Sequence, residues 1–248
     1  MSKNAIIRER FSDGKKKFAI LIDPDKFTLN EIKTIAESSE KARVDFLFYG
    51  GSLVMETEHQ KLITILKKYC SAPVILFPGN QLMIPVNADG LLLLSLISGR
   101  NAEMLIGKHV IAAPFLKTCN FDILPTGYML IENGHHTAVS YMSNTNPIPA
   151  EQDDIALCTA IAGELLGLQL IYMDAGSGAE NPVRPLMIKK VKQNITIPLI
   201  IGGGICTARH AEDAAKAGAD VVVVGNAIEK KPSLIRELCD AVHSLNNI

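Results

Sequence analysis

A chain of 248 residues with 48% hydrophobic and 21% charged side chains can bury a large core, and its length suits one barrel domain over residues 1–248 better than two domains split by a linker. Lys and Arg total 25 against 26 Asp and Glu, a net charge of −1, which leaves no footprint for nucleic acid or for strong attraction to an anionic membrane. With no Trp and 5% aromatic residues, base-stacking surfaces are scarce as well. Cys70, Cys119, Cys158, Cys206 and Cys239 are odd in number, scattered and never spaced C-x-x-C, so neither a disulfide framework nor a zinc site is expected, and they read as reduced, mostly buried thiols. The first residues lack an apolar signal region, and no run of about 18 uncharged apolar residues occurs, which predicts a soluble, cytoplasmic protein.

The first strand is predicted over residues 18–22. It ends at Asp23-Pro24-Asp25-Lys26, two carboxylates and a lysine at the carboxyl end of a buried apolar run, which is the active face of a barrel. Asn30 is expected to cap a helix, EIKTIAESSEKARV, with Ile32, Ile35 and Ala36 on one side. A second strand over residues 45–49 ends in Gly50-Gly51-Ser52, and a helix over residues 58–69 carries Leu62, Ile65 and Leu66 in register. The third strand, residues 73–77, closes with Pro78-Gly79-Asn80, and the fourth covers residues 90–94. Between them the connection NQLMIPVNAD holds Pro85 and is too short for a covering helix. The third helix of the barrel is therefore expected to be missing or reduced, opening one wall and leaving Leu82, Met83 and Ile84 facing a groove.

A helix over residues 102–111 and a fifth strand near residues 125–131 follow, preceded by Thr118 and Asp122. The segment ENGHHTAVSYMSNTNPIPAEQDD is long, polar and without periodicity, and loops of this length in compact domains are commonly functional. His135 and His136 lie in it without metal-ligand spacing and read as exposed. A helix begins at Asp153, with Ile155, Thr159, Ala162 and Leu166 forming a small-residue face. The sixth strand, residues 168–173, ends in Asp174-Ala175-Gly176-Ser177-Gly178-Ala179, and a short element covers residues 185–191.

The most informative stretch comes next. Residues 198–201 are apolar and β-prone and run into Gly202, Gly203 and Gly204, which have no Cβ to keep a ligand off the backbone. Thr207 can cap the helix carrying Ala208, Ala211, Ala214, Ala215 and Ala217, and Gly218 ends it. Residues 221–224, four valines, are too uniformly apolar for a strand with one wet face. Gly225 and Asn226 then repeat the turn. Two successive strands ending in such turns form a phosphate cradle, as the last two strands of a (β/α)8 barrel do. A closing helix starts at Pro232.

Taken together, LIDPDK, YGGSL, PTGYMLI, VSYMSNTNPIP, YMDAGSGA, IIGGGI and VVGNAI resemble the geranylgeranylglyceryl phosphate synthase family, which includes the related heptaprenylglyceryl phosphate synthases. The resemblance runs over essentially the whole chain. It implies a modified (β/α)8 TIM barrel with the third helix replaced, and transfer of a prenyl group from a polyprenyl diphosphate to glycerol 1-phosphate. By position in the motifs, Asp23 and Ser52 would hold Mg²⁺. Tyr172, Met173, Asp174, Ala175, Gly176, Ser177, Gly178, Gly203, Gly204, Gly225 and Asn226 would bind glycerol 1-phosphate. A hard cation wants oxygen ligands and stabilises a leaving diphosphate; Ser52 is the weaker ligand and can act through water, or simply enter a helix.

Asp174 stands where the family more often has glutamate. As a rim carboxylate it can orient the glycerol hydroxyl and accept its proton; the alternative is a cap on the following turn. Tyr172 can hydrogen-bond substrate or pack, Lys26 and Arg100 can contact the diphosphate or remain solvated, and Leu92, Leu94, Leu82 and Ile84 can wall a prenyl channel or belong to the core. The resemblance also implies a homo-oligomer, dimeric or hexameric. The poor solubility of a lipid product motivates peripheral membrane contact. Two competing readings are an isomerase or aldolase acting on a sugar phosphate, and a non-catalytic protein that binds a phosphorylated ligand.

Overall fold

Along every strand of this chain one set of alternate side chains is buried against its counterparts across a barrel, and the other set is buried under helices. The computed structural model describes residues 3–51, 53–79, 87–134 and 137–247. A first helix, α1 (Lys3–Phe11), precedes β1 (Lys17–Ile22), α2 (Leu29–Ala42), β2 (Phe46–Gly51), α3 (His59–Tyr69), β3 (Val74–Pro78) and β4 (Gly90–Leu96). A π-helical turn (Glu103–Gly107) leads into α4 (Lys108–Leu116), followed by β5 (Asp122–Leu130), α5 (Ala138–Ser143), α6 (Asp153–Leu165), β6 (Leu170–Asp174) and α7 (Pro185–Lys192). The chain ends with β7 (Leu199–Gly202), α8 (Ala208–Ala217), β8 (Val221–Val224), α9 (Asn226–Lys230), α10 (Leu234–His243) and a 3-10 turn. The eight strands are parallel and close in sequence order, β1 pairing with both β2 and β8.

The barrel interior is filled by Ala19, Phe46, Phe48, Ile75, Phe77, Leu92, Leu124, Tyr128, Tyr172, Ile200, Val221 and Val223, among others. The layer between strands and helices holds the intervening positions, such as Phe18, Ile20, Leu47, Val74, Met173, Ile201, Val222 and Val224. The four valines of β8 are thus buried on both faces, as their uniform apolarity predicts.

Several local expectations are corrected. Thr28, not Asn30, caps α2: its side chain accepts from the Glu31 N–H, and the Glu31 carboxylate accepts from the Thr28 N–H at 2.8 Å, a capping box two residues earlier than expected. The polar segment after β5 contains a helix, α5, started by a second box between Thr137 and Ser140. Helix α4 runs on to Leu116 through Pro114. The N-terminal α1 was not anticipated; its Ile7 and Phe11 enter the barrel interior from below, with Phe11 stacked on Phe46 at 4.3 Å between ring centroids. Of the cysteines only Cys70 and Cys239 are buried, while Cys158 and Cys206 are exposed.

No helix covers β3 and β4 among the described residues of the connection between them. Leu82, Met83 and Ile84 lie outside those residues. The β3–β4 ladder has partner pairs only at Ile75–Gly90 and Leu76–Leu91, whereas β4 and β5 pair from Gly90–Asp122 up to Leu96–Tyr128. The ladder on the β3 side of β4 is therefore much shorter than the one on its β5 side. A groove runs down the wall between Leu91 and Leu93 of β4, Met104, His109, Ala112 and Leu116 of the α4 segment, and Val139 and Met142 of α5.

Candidate active site

Because Leu21, Tyr172 and Val223 belong to the inward set, the next inward positions are Asp23, Asp174 and Gly225, at the carboxyl ends of β1, β6 and β8. They ring the mouth of a cleft of about 540 Å³ that also takes in Lys26, Tyr128, Gly176–Ala179, Gly203, Gly204, Asn226 and Glu229. Residues far apart in sequence thus meet at one rim, the consequence of barrel closure.

Asp174 is the buried charge of the site, 7% exposed. The Tyr128 hydroxyl donates to its Oδ2 at 2.6 Å and the Gly176 N–H to its Oδ1 at 2.7 Å. Burial raises its carboxyl above the ordinary aspartate range, opposed by these two donors. Tyr128 and Tyr172 are held well above the usual phenol range, by burial first and the Asp174 charge second. With Phe77 they make a floor of three rings whose centroids lie 5.5–5.8 Å apart, spacings favourable for aromatic pairs.

The cradle is built from backbone that excludes side chains. Gly203 has φ +77°, and a Cβ there would stand 2.6 Å from Asp174 Oδ1 and from the Gly176 N. Gly204, at φ +70°, packs as closely on the Asn181–Pro182 peptide. Both conformations favour glycine. Across the mouth, Asn226 Oδ1 accepts from Ser177 Oγ at 3.1 Å and from the Gly178 N–H at 3.0 Å, so the donors of the β6 loop converge on the residue that follows β8. Asn133 donates to the Ala175 carbonyl and ties down the loop from behind.

On the opposite side, Asp25 is occupied: its carboxylate accepts the N–H groups of Met55 and Glu56 at 2.8 and 2.7 Å. Asp23 faces the cleft, 3.5 Å from Lys26 Nζ, and Gly51 leaves room in front of it, since a Cβ there would reach the carboxyl at 3.4 Å. Ser52 lies outside the described residues. No group of three or more His, Cys, Asp or Glu that could hold a metal occurs among the described residues. Asp23 Oδ1 also accepts the Asp25 N–H at 3.2 Å, so the oxygen Asp23 could offer a cation is the Oδ2 now paired with Lys26; such a site fits a cation that takes its remaining oxygens from water and a diphosphate, which is the usual habit of Mg²⁺.

The sequence-predicted residues divide as follows. Asp23, Tyr172, Asp174, Gly176, Ser177, Gly178, Gly203, Gly204, Gly225 and Asn226 line the cleft. Met173 and Ala175 do not: both fall in the outward register and are buried under the helices, 0% and 1% exposed. Lys26 stands at the rim, bonded to Glu229, whereas the Arg100 guanidinium is spent on the Gly99 carbonyl at 2.8 Å. Leu94 walls the groove and Leu92 is interior core. His135 and His136 lie outside the described residues. Tyr128 and Glu229 were missed; the two-residue alternation through PTGYMLI would have turned Tyr128 inward.

The cradle makes a contrast that binding can check. Gly203→Ala should lower affinity for an inorganic phosphate probe by about 10²-fold or more in calorimetric titration, about 3 kcal/mol, the scale of forced backbone strain. Gly225→Ala, whose Cβ would meet only Leu21 at 3.5 Å, should retain binding within about tenfold.

Comparison with known proteins agrees with this geometry. Residues 6–243 match the PcrB family. The geranylgeranylglyceryl phosphate synthase of Spirosoma linguale is 51% identical over 241 residues, 97% of each chain. That of Methanosphaera stadtmanae is 36% identical over 240 residues, 96% of this chain and 98% of its own. The crystal structure of (S)-3-O-geranylgeranylglyceryl phosphate synthase from Thermoplasma acidophilum, in complex with sn-glycerol-1-phosphate, has a TM-score of 0.88 at 31% identity, covering 96% of this chain and 97% of that one. With barrel, cradle and sequence in agreement over nearly its full length, the chain belongs to the PcrB family.

Proposed function

We propose that this chain is a geranylgeranylglyceryl phosphate synthase. It transfers the prenyl group of a polyprenyl diphosphate, geranylgeranyl diphosphate foremost, to the C3 hydroxyl of sn-glycerol 1-phosphate, releasing diphosphate, in ether-lipid biosynthesis. The observation that carries this reading is the meeting of two unlike cavities: the polar cleft and the apolar groove share Phe77, Tyr128 and Val139 as a common wall. A phosphate held by the cradle and a lipid tail held in the groove would bring their reacting ends together above Asp174.

In this reading the glycines of β7 and β8 and the Ser177–Gly178 turn bind the glycerol phosphate and aim its free hydroxyl at Asp174. Asp174 takes the hydroxyl proton as the oxygen bonds to C1 of the prenyl group and the bond from C1 to the diphosphate breaks. Asp23 and Ser52 would hold Mg²⁺, which when bound supplies positive charge for the departing diphosphate. Each CH₂ buried in the groove contributes about 0.8 kcal/mol, so the tail anchors the donor without specific polar contacts. A sugar-phosphate isomerase or aldolase would leave the groove without a purpose, and the lysine at the end of β1, Lys26, is already ion-paired to Glu229 at 3.0 Å.

The direct test is an assay with Mg²⁺, labelled sn-glycerol 1-phosphate and prenyl diphosphates of several lengths. A prenylglyceryl phosphate should form, and Asp23→Asn and Asp174→Asn should each reduce it by about 10²-fold or more. If the glycerol phosphate binds but no donor is used, the transferase reading falls and a binding protein remains.

A base with a raised pKa has a signature in the pH profile. Asp174 must be ionised to act, and burial shifts its ionisation upward, so the acidic limb of kcat/KM should lie above the usual aspartate range. Tyr128→Phe removes a donor that favours the ionised form and should move that limb to still higher pH, measured on the same substrates.

Ile106, Val110, Ile111 and Phe115 on the outer side of the α4 segment and Tyr141 and Met142 on α5 are exposed. Their position beside the groove supports peripheral contact with lipid, although no described helix is long and apolar enough to cross a membrane. Flotation with vesicles containing prenyl diphosphate should carry a fraction of the protein upward. Light scattering on the protein without vesicles reports whether it is a dimer or a hexamer.

A further inference from the structure

A continuous chain of polar contacts crosses the mouth from the cradle to Asp23. Asn226 Oδ1 accepts from Ser177 Oγ and the Gly178 N–H, while its Nδ2 donates to Glu229 Oε2 at 3.1 Å. Glu229 in turn accepts from Lys26 Nζ at 3.2 and 3.0 Å, and Lys26 Nζ stands 3.5 Å from Asp23 Oδ2. The amide orientation is dictated by its neighbours: a backbone N–H can only donate and a carboxylate can only accept, so turning Asn226 over would set like against like at both ends.

We propose that Asn226, Glu229 and Lys26 couple the phosphate cradle to the Asp23 side of the site, so that glycerol phosphate promotes binding of the diphosphate with its cation. The proposal rests on the cradle being the glycerol-phosphate site. The amide oxygen of Asn226 occupies the donors that a phosphate oxygen would use. A phosphate that takes the Ser177 and Gly178 donors also repels that amide oxygen, and Asn226 is relieved by swinging its whole amide off the Ser177–Gly178 turn, which draws Nδ2 away from Glu229 Oε2. Glu229 then loses its amide donor, and its charge is offset by Lys26 alone. The ammonium is drawn toward Glu229 and away from Asp23, whose carboxylate becomes available to a cation. Lys26 and Glu229 are in this account positioning residues: they act through Asp23 and the cradle.

The test is a linkage measurement by calorimetry with Mg²⁺ and inorganic diphosphate as the probe, with and without saturating sn-glycerol 1-phosphate, on the whole chain. In the wild-type protein the glycerol phosphate should tighten diphosphate binding about fivefold or more, and diphosphate should tighten glycerol phosphate by the same factor, as linkage requires. Glu229→Gln, nearly isosteric, and Lys26→Gln should each bring the factor close to one while either ligand still binds alone. Having two interruptions of the chain keeps the result decisive where one variant folds poorly. A factor unchanged in the variants, or absent in a wild-type protein that binds glycerol phosphate, overturns the coupling and leaves the transferase reading intact. Failure of the wild-type protein to bind glycerol phosphate at all overturns both.

Discussion

Closure of the sheet is the constraint on which the site depends. The ladder from β8 back to β1, running from Lys17–Val221 to Ile20–Val224, fixes the register of the whole ring, and register in a strand decides which face each side chain takes. A slip of one residue would turn Asp23, Asp174 and Gly225 outward under the helices and bring Met173 and Val224 to the mouth. Two buried layers, each apolar, resist that slip together. The polar rim is therefore positioned by the apolar strands beneath it.

Within this frame Asp174 is the element under greatest tension. A carboxylate taken out of water is unstable unless hydrogen-bonded, and the fold supplies two short donors on one side, from Tyr128 and Gly176. The close approach of Gly203, which has no room for a Cβ, is part of the same arrangement. The glycine whose backbone lines the cleft also lets the β7 loop close over this carboxylate. The glycine turn and the buried carboxylate are thus one structural unit.

Much of this was legible in the chain. The strands announced themselves as apolar runs ending in Gly, Ser or Asp, and the cradle as two glycine turns flanking an alanine-rich helix. The shortness of the connection between β3 and β4 was legible too, and no helix occurs among its described residues. Other features were not legible because they depend on contacts between distant segments. Nothing local to Tyr128 says that it will meet Asp174, 46 residues away. Glu229 looks like an ordinary helix-surface acid until Lys26, 203 residues earlier, is folded against it. Motif position alone grouped Met173 and Ala175 with the binding residues, and only the pleat separates them from their neighbours. The capping boxes at Thr28 and Thr137 were written locally, yet each was overlooked in favour of a more conspicuous neighbour or a polar stretch.

The groove leaves the mouth beside Phe77, Leu96 and Tyr128 of the interior set and continues onto the wall over the outward-facing Leu91 and Leu93, and this has a bearing on how such a protein can diversify. Below the mouth the interior stays packed with rings and branched side chains, so a long hydrocarbon placed in the groove would need no change in strand number. Away from the mouth the trough is lined by side chains of β4, the α4 segment and α5, at a boundary where exchange of one apolar residue for another disturbs few neighbours. Lengthening or shortening the trough leaves the glycine turns at the rim untouched. Under the proposed reading, selectivity for the tail would drift through substitutions on one wall while selectivity for the head group stayed with the glycines at the rim, two recognition problems assigned to parts of the fold that can change separately.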